Sequence, residues 1–463
     1  MLFSALKDYC PGAVPMHMPG HMRNREISGD LKALCAGIDI TEIDGFDDLH
    51  HPSGILRRSM EMAEKLWKSD HTRYLVNGST CGILSAVYAL GAGGGRIVCA
   101  RNAHKSFYHA LEITDLEPVF VQPGFDVETG ACLDVSVASI KQALDQTPDA
   151  KFVFLTSPTY EGVISDIKGI CGLAHKRGIP VIVDEAHGAH LSLTRDFPCG
   201  AVEAGADIVI ESVHKTLLSL TQTAVMHISG NLVSIKDIDH ALDIFETSSP
   251  SYLLMASIDS CVEILTEKKE AIFSAWRENL EAFRSKAQRL KNIRIWTPHN
   301  AFCYDLSKII LMHPALTGNA LMEILRNRFS IELEAAYPRY CVAMTGAGVK
   351  KEMLDALFSA LEKIDSEDFS ASDFKKPAAP ARTERVYSIK TALQMPYECV
   401  KLKKAAGRIA AEYAWAYPPG IPVLAPGERI TENMISVWND MIAASSNTIT
   451  TRSSEGLLAV VKE

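Results

Sequence analysis

The chain has 463 residues, 47% of them hydrophobic and 22% charged, enough to bury a large core and to divide into two or three domains. Its formal net charge of −9 argues against nucleic acid as a main partner, because a phosphate-binding surface needs clustered Lys and Arg. No run approaches the roughly 18 apolar residues of a membrane span, and the N-terminus lacks a basic segment leading into a long apolar one. With 11 scattered cysteines and no Cys-x-x-Cys pair, the expectation is a cytoplasmic protein, off the membrane, with reduced and mostly buried thiols.

Residues 1–55 mix apolar residues with Pro, Gly, His and acids, as in Met18-Pro19-Gly20-His21 and Asp47-Asp48-Leu49-His50-His51. They lack a long helical period and read as an irregular arm. Residues 56–257 read as a large α/β domain. Short β-type runs, Arg96-Ile97-Val98-Cys99, Val119-Phe120-Val121, Phe152-Val153-Phe154-Leu155, Val181-Ile182-Val183 and Ile208-Val209-Ile210, alternate there with helical patterns. This alternation predicts a mainly parallel sheet covered by helices. One helix shows its period plainly: Ile167, Ile170, Cys171 and Ala174 fall at i, i+3, i+4 and i+7, and Lys176-Arg177-Gly178 supplies cations and a stop. Residues 258–365 read as a small α+β domain, 366–385, with Lys376-Pro377-Ala378-Ala379-Pro380, as a linker, and 386–463 as a C-terminal unit.

Three short stretches carry chemistry. Asn77-Gly78-Ser79-Thr80 precedes the apolar helical pattern Ile83, Leu84, Ala86, Val87 and Leu90, so its hydroxyls and unpaired N–H groups suit a phosphate, although the same residues also make an ordinary helix cap. Asp184 ends the run Val181-Ile182-Val183, at the carboxyl end of a strand, where α/β sheets bind ligands and a carboxylate could hold a ring nitrogen. A metal bound by Asp184, His187 and His190 is the less favoured reading, since the spacing is not that of His-Glu-x-x-His. Lys215, in Ser212-Val213-His214-Lys215, follows another strand, where desolvation would free its amine for a carbonyl; most lysines are merely solvated charges. Taken together, a phosphate loop, an acid about a hundred residues on and a lysine about thirty beyond it stand in the order that grips pyridoxal 5'-phosphate (PLP) at phosphate, ring nitrogen and aldehyde.

These stretches, with Met18-Pro19-Gly20-His21, Asp39-Ile40-Thr41-Glu42, Arg101-Asn102-Ala103-His104-Lys105-Ser106, Asp184-Glu185-Ala186-His187, Thr247-Ser248-Ser249-Pro250-Ser251-Tyr252 and Tyr417-Pro418-Pro419-Gly420-Ile421-Pro422, resemble the Orn/Lys/Arg decarboxylase family of fold-type I PLP enzymes. The resemblance runs along nearly the whole chain. It implies that 56–257 is the PLP-binding large domain and 386–463 the C-terminal decarboxylase domain. It further implies that Ser79 and Thr80 hold the phosphate, His104 stacks on the cofactor ring, Asp184 pairs with the ring nitrogen and His187 lies near the ring hydroxyl. Lys215 would form the Schiff base, with Ser212 and His214 as cofactor neighbours. Thr247 would reach the phosphate of a neighbouring subunit, which implies a homodimer with shared active sites.

The implied reaction is decarboxylation of arginine, lysine or ornithine to the amine and carbon dioxide, as in polyamine synthesis. Acceptors for the basic side chain are expected among Glu42, Asp47, Asp48 and Glu428, although acids in Pro/Gly-rich segments are more often simply exposed. Two departures stand out. Met22 follows Pro-Gly-His where many members have Lys, and the flavodoxin-like wing domain of the long members is missing, so a dimer or a pairing of dimers is expected rather than their ring-like assemblies. Two rivals remain. Another fold-type I reaction, an aldol-type lyase or an α-oxoamine synthase, shares Asp-x-Ala-His; His214 directly before Lys215 and the Pro-Gly-His arm stand against it. A non-catalytic PLP-binding regulator draws slight support from Met22 and is opposed by intact Lys215, Asp184 and His104.

Overall fold

The computed structural model describes residues 1–10, 16, 18–19, 22, 34–370, 374, 377, 384–416, 420–443 and 448–462. Gly20, His21, most of 371–383 and Tyr417-Pro418-Pro419, all singled out above, lie outside the described residues. The chain forms two compact units. The first comprises Met1–Leu90, Pro180–Ser274 and Gly346–Gly348, and the second Gly91–Ile179, Ala275–Thr345 and Val349–Glu463.

In the first unit four strands lie in the order His71–Leu75, Ala224–Ile228, Ile208–Glu211, Val181–Asp184. The last two pair in parallel, with Asp184 opposite Ile210, and the others are antiparallel. Val181, Ile182, Val183, Ile208, Val209 and Ile210 are all fully buried, which is why both strands read as unbroken apolar runs. Helix Gly78–Gly91 seats closely on these strands because position 82 has no side chain: a Cβ there would stand 2.6 Å from Leu75 Cδ1 and 3.0 Å from Ile210 Cγ2. The arm is not wholly irregular. It opens with helix Leu2–Tyr9, which buries Leu2 and Leu6. The Met1 ammonium donates to Asp259 at 2.9 Å and Glu263 at 3.0 Å, and Asp259 also accepts from Leu2 N–H and from the buried Ser59 hydroxyl.

In the second unit Val153–Thr156, Gly95–Ala100 and Leu116–Val121 pair in parallel in that order. Helix Ile167–His175 buries the four residues of its apolar stripe, and Asp166 caps it by accepting the Gly169 N–H at 2.8 Å. A four-stranded antiparallel sheet follows, in the order Ala335–Ala336, Cys341–Met344, Lys308–Met312, Arg294–Trp296. The C-terminal part has its own core of Ala405, Leu424, Met434, Trp438 and Val460 under two small antiparallel sheets. The fold is thus mixed α/β with mainly parallel pairing and smaller α+β parts, as the alternation of runs predicted. Six of the 11 cysteines are buried. No helix among the described residues is long and apolar enough to cross a membrane.

Candidate active site

The carboxyl ends of two adjacent parallel strands converge in the first unit. Asp184 ends one strand, 3% exposed, and accepts the Ala186 N–H at 3.1 Å. Burial pushes its pKa above the usual carboxylate value, against the opposing pull of the Lys215 charge and the Ala186 N–H. The neighbouring strand passes through Ser212 into the short helix Val213–Thr216, which carries Lys215. Lys215 Nζ lies 3.1 Å from His187 Nε2. His214 donates from Nδ1 to the Thr223 carbonyl at 2.8 Å; burial lowers its pKa against the opposing effect of that bond, and the Lys215 charge lowers it further.

Ser79, in the first turn of helix Gly78–Gly91, is 2.6 Å by its hydroxyl from that of Ser212. Gly78 opens this turn at φ +75°, a conformation that suits glycine. Thr80 is exposed beside it. Asp184, His187, Ser212, Lys215 and Ser79 are thereby linked through strand register and hydrogen bonds in one unit. Thr247 follows helix Ile235–Phe245, and its hydroxyl oxygen accepts the Ser249 N–H at 3.3 Å. His190 packs edge-on against Phe197 at 4.9 Å, and no cluster of three His, Cys, Asp or Glu side chains suited to a metal occurs among the described residues.

The four acids differ sharply. Glu42 is exposed. Asp47 accepts the N–H groups of Ser53, Gly54 and Leu56 at 2.8, 2.6 and 3.1 Å, which fixes the start of helix Ile55–Trp67. Asp48 accepts the His50 N–H at 2.9 Å and lies 3.2 Å from the His51 ring. Glu428, in the second unit, is 1% exposed and pairs with Arg101 at 3.1 Å.

Around that pair the second unit builds a compact arrangement near His104. Arg101 also donates to the Pro422 carbonyl at 2.8 Å, its guanidinium lies 5.3 Å from the ring centres of Tyr108 and Phe120, and Glu428 accepts the Ala425 N–H. Burial pulls the Arg101 pKa down, but Glu428 and Tyr108 hold it above its ordinary value. His104 caps helix Lys105–Thr114 through Nδ1, which accepts the Ser106 N–H at 3.3 Å, and the next N–H, of Lys105, donates to the Gly420 carbonyl at 3.0 Å.

Sequence reasoning quoted Arg101 and Glu185 within motifs but gave neither a role, and it did not single out the buried acid Glu211 that adjoins Ser212. Burial raises the pKa values of Glu185 and Glu211, and for Glu185 the Glu211 charge adds to the effect. A charged residue inside an otherwise apolar run, as at Glu211, was the available signal.

These residues fit PLP. A buried carboxylate suits a protonated ring nitrogen, a lysine held at a strand end suits the aldehyde, and hydroxyls at the start of a 14-residue helix suit the phosphate. The fold is that of the fold-type I PLP enzymes. Residues 1–331 match the Orn/Lys/Arg decarboxylase major domain and residues 370–448 the Orn/Lys/Arg decarboxylase C-terminal domain, so the chain belongs to this decarboxylase family. The chain is similar to the arginine decarboxylase of Bacillus subtilis, at 33% identity over 94% of this chain and 92% of the relative, and to that of Bacillus anthracis, at 30% over 93% and 91%. The fold is shared with the lysine decarboxylase of Francisella novicida, with a TM-score of 0.82 at 18% identity over 100% of this chain and 81% of the other.

Proposed function

We propose that the protein removes the α-carboxylate of a basic L-amino acid, with L-arginine the first substrate to test, using PLP carried on Lys215. The observation that carries this reading is the placement of Lys215 Nζ 3.1 Å from His187 Nε2, on the short helix that follows the strand beside buried Asp184. When bound, PLP supplies a sink for the electron pair left at Cα as carbon dioxide departs.

The chain's own residues supply the rest. Asp184, buried at its strand end, would hold the ring nitrogen and share a proton with it. Ser79, Thr80 and Ser212 would orient the phosphate with the helix N-terminus, and the family resemblance gives His104 the role of stacking on the ring. His187 accepts a hydrogen bond from Lys215, which fixes the lysine's direction, and this pair returns the proton to Cα. His214 is held by Thr223 as a neighbour of the cofactor.

Thr247 serves the phosphate of a second copy, which makes the working unit a homodimer in the cytoplasm. A guanidinium needs planar, bidentate acceptance. Glu42 and Asp48 keep carboxylate surface for that task, whereas Asp47 is occupied by backbone N–H groups and Glu428 by Arg101. The test is carbon dioxide release from L-arginine by wild type and by Lys215→Ala. Release by wild type alone supports the proposal, and equal release by both rejects the assignment of Lys215.

A further inference from the structure

The doublet His50-His51 divides into two different residues. The His51 side chain is 79% exposed, whereas that of His50 is 13% exposed with both ring nitrogens engaged. His50 Nε2 lies 2.9 Å from the Thr247 carbonyl and Nδ1 lies 2.9 Å from Asp243 Oδ1, in helix Ile235–Phe245. A carbonyl oxygen has no proton to give, so Nε2 must donate. Nδ1 faces the Asp243 carboxylate, so the ring bridges the Thr247 carbonyl and the acid. Two further carboxyls lie close by: Asp48 accepts the His50 backbone N–H at 2.9 Å, and Glu246 is buried.

The other side of the Thr247 peptide is held too. The Asn77 amide, turned so that its oxygen faces Thr247, accepts the Thr247 N–H at 3.2 Å and donates to Glu246 Oε1 at 3.1 Å. Asn77 directly precedes the Gly78-Ser79-Thr80 turn. The Thr247 peptide is therefore fixed through its N–H by the phosphate loop and through its C=O by the arm. Its hydroxyl oxygen accepts from Ser249, and the hydroxyl proton remains to be donated.

We propose that His50 is a positioning residue for cofactor retention: bridging Asp243 and Thr247, it clamps the Thr247 segment that reaches the phosphate of a second copy, without itself touching the cofactor. This rests on the reading of Ser79, Thr80 and Thr247 as phosphate contacts. In His50→Gln the amide nitrogen takes the place of Nε2 and keeps the bond to Thr247, whereas His50→Leu loses both bonds.

The experiment compares PLP release from loaded wild type, His50→Gln, His50→Leu and Thr247→Val, with backbone amide exchange over residues 246–250 in the cofactor-free proteins, all checked for a wild-type circular dichroism spectrum. His50→Leu should release PLP about tenfold faster, the factor for the one part-buried hydrogen bond to Thr247 that only this variant loses, and exchange faster at 246–250; His50→Gln should stay within about threefold of wild type on both. Wild-type release and exchange in His50→Leu would overturn the proposal, as would a His50→Gln variant no better than His50→Leu. Wild-type release from Thr247→Val would overturn the phosphate role of Thr247 and with it the link to cofactor; faster exchange in His50→Leu would still support the clamp itself.

Discussion

Replacing Glu428 by Gln removes the countercharge of a guanidinium that is 7% exposed and bound to carbonyls rather than water. Breaking a buried ion pair from one side costs about 3–5 kcal/mol, because the remaining charge stays desolvated. The Gln amide can still accept from Arg101 and from the Ala425 N–H, so the lower end of that range applies, about 3 kcal/mol. With a urea m-value of about 3 kcal/mol/M, the midpoint of the second unit should fall by about 1 M, read from the fluorescence of Trp415 and Trp438. Glu428 Oε1 is buried with no hydrogen-bond partner among the described residues, so the intact pair is itself incompletely compensated. The double variant Arg101→Met, Glu428→Leu should therefore regain most of the lost stability. It should also regain turnover if Glu428 acts through Arg101, whereas a Glu428 that receives the substrate's cationic group would leave the double variant inactive. A Glu428→Gln protein that unfolds like wild type would refute the reasoning.

The other expectations are as direct. Lys215→Ala should lose the borohydride-reducible cofactor linkage, and a linkage surviving on another lysine would contradict the assignment. Asp184→Asn should cut turnover about 10²-fold or more while cofactor occupancy, read by absorbance, falls far less; near-normal turnover would count against a proton shared with the ring. Asp47→Ala should cost about 1–2 kcal/mol as a lost cap. Burial pushes the Asp47 pKa up, but the backbone N–H groups of Ser53, Gly54, Arg57 and Asp48 outweigh it and hold the group below its ordinary 3.8. A depressed carboxylate stabilises fully above its unfolded pKa and loses that contribution as pH falls through the folded value, so the gap between wild type and Asp47→Ala should be full at neutral pH and close in acid. Thermal melts across pH check this, and a gap unchanged by acid would be the contrary result.

What could be read from the sequence was what local pattern encodes. Val181-Ile182-Val183 and Ile208-Val209-Ile210 announce doubly covered strands because both faces are apolar, and their ends locate Asp184 and Lys215. Strand His71–Leu75 escaped because its burial alternates and it carries His, Thr and Arg. Ala224–Ile228 escaped although wholly buried, since His227 interrupts the run. Burial pushes that ring down to about 3, so it stays neutral, 2.9 Å from the Thr72 hydroxyl. Helix Leu2–Tyr9 is too short, at 8 residues, to display a period. The clamp on Thr247 and the Arg101–Glu428 pair join residues 197 and 327 positions apart, and no local motif records such partners.

The central claim is tested most directly by incubating the purified, PLP-loaded protein separately with L-arginine, L-lysine and L-ornithine and measuring carbon dioxide and amine together. The account predicts equimolar carbon dioxide and amine from one of the three, with L-arginine the first expectation. Cofactor spectra that respond to these amino acids with no carbon dioxide released from any of them would contradict it.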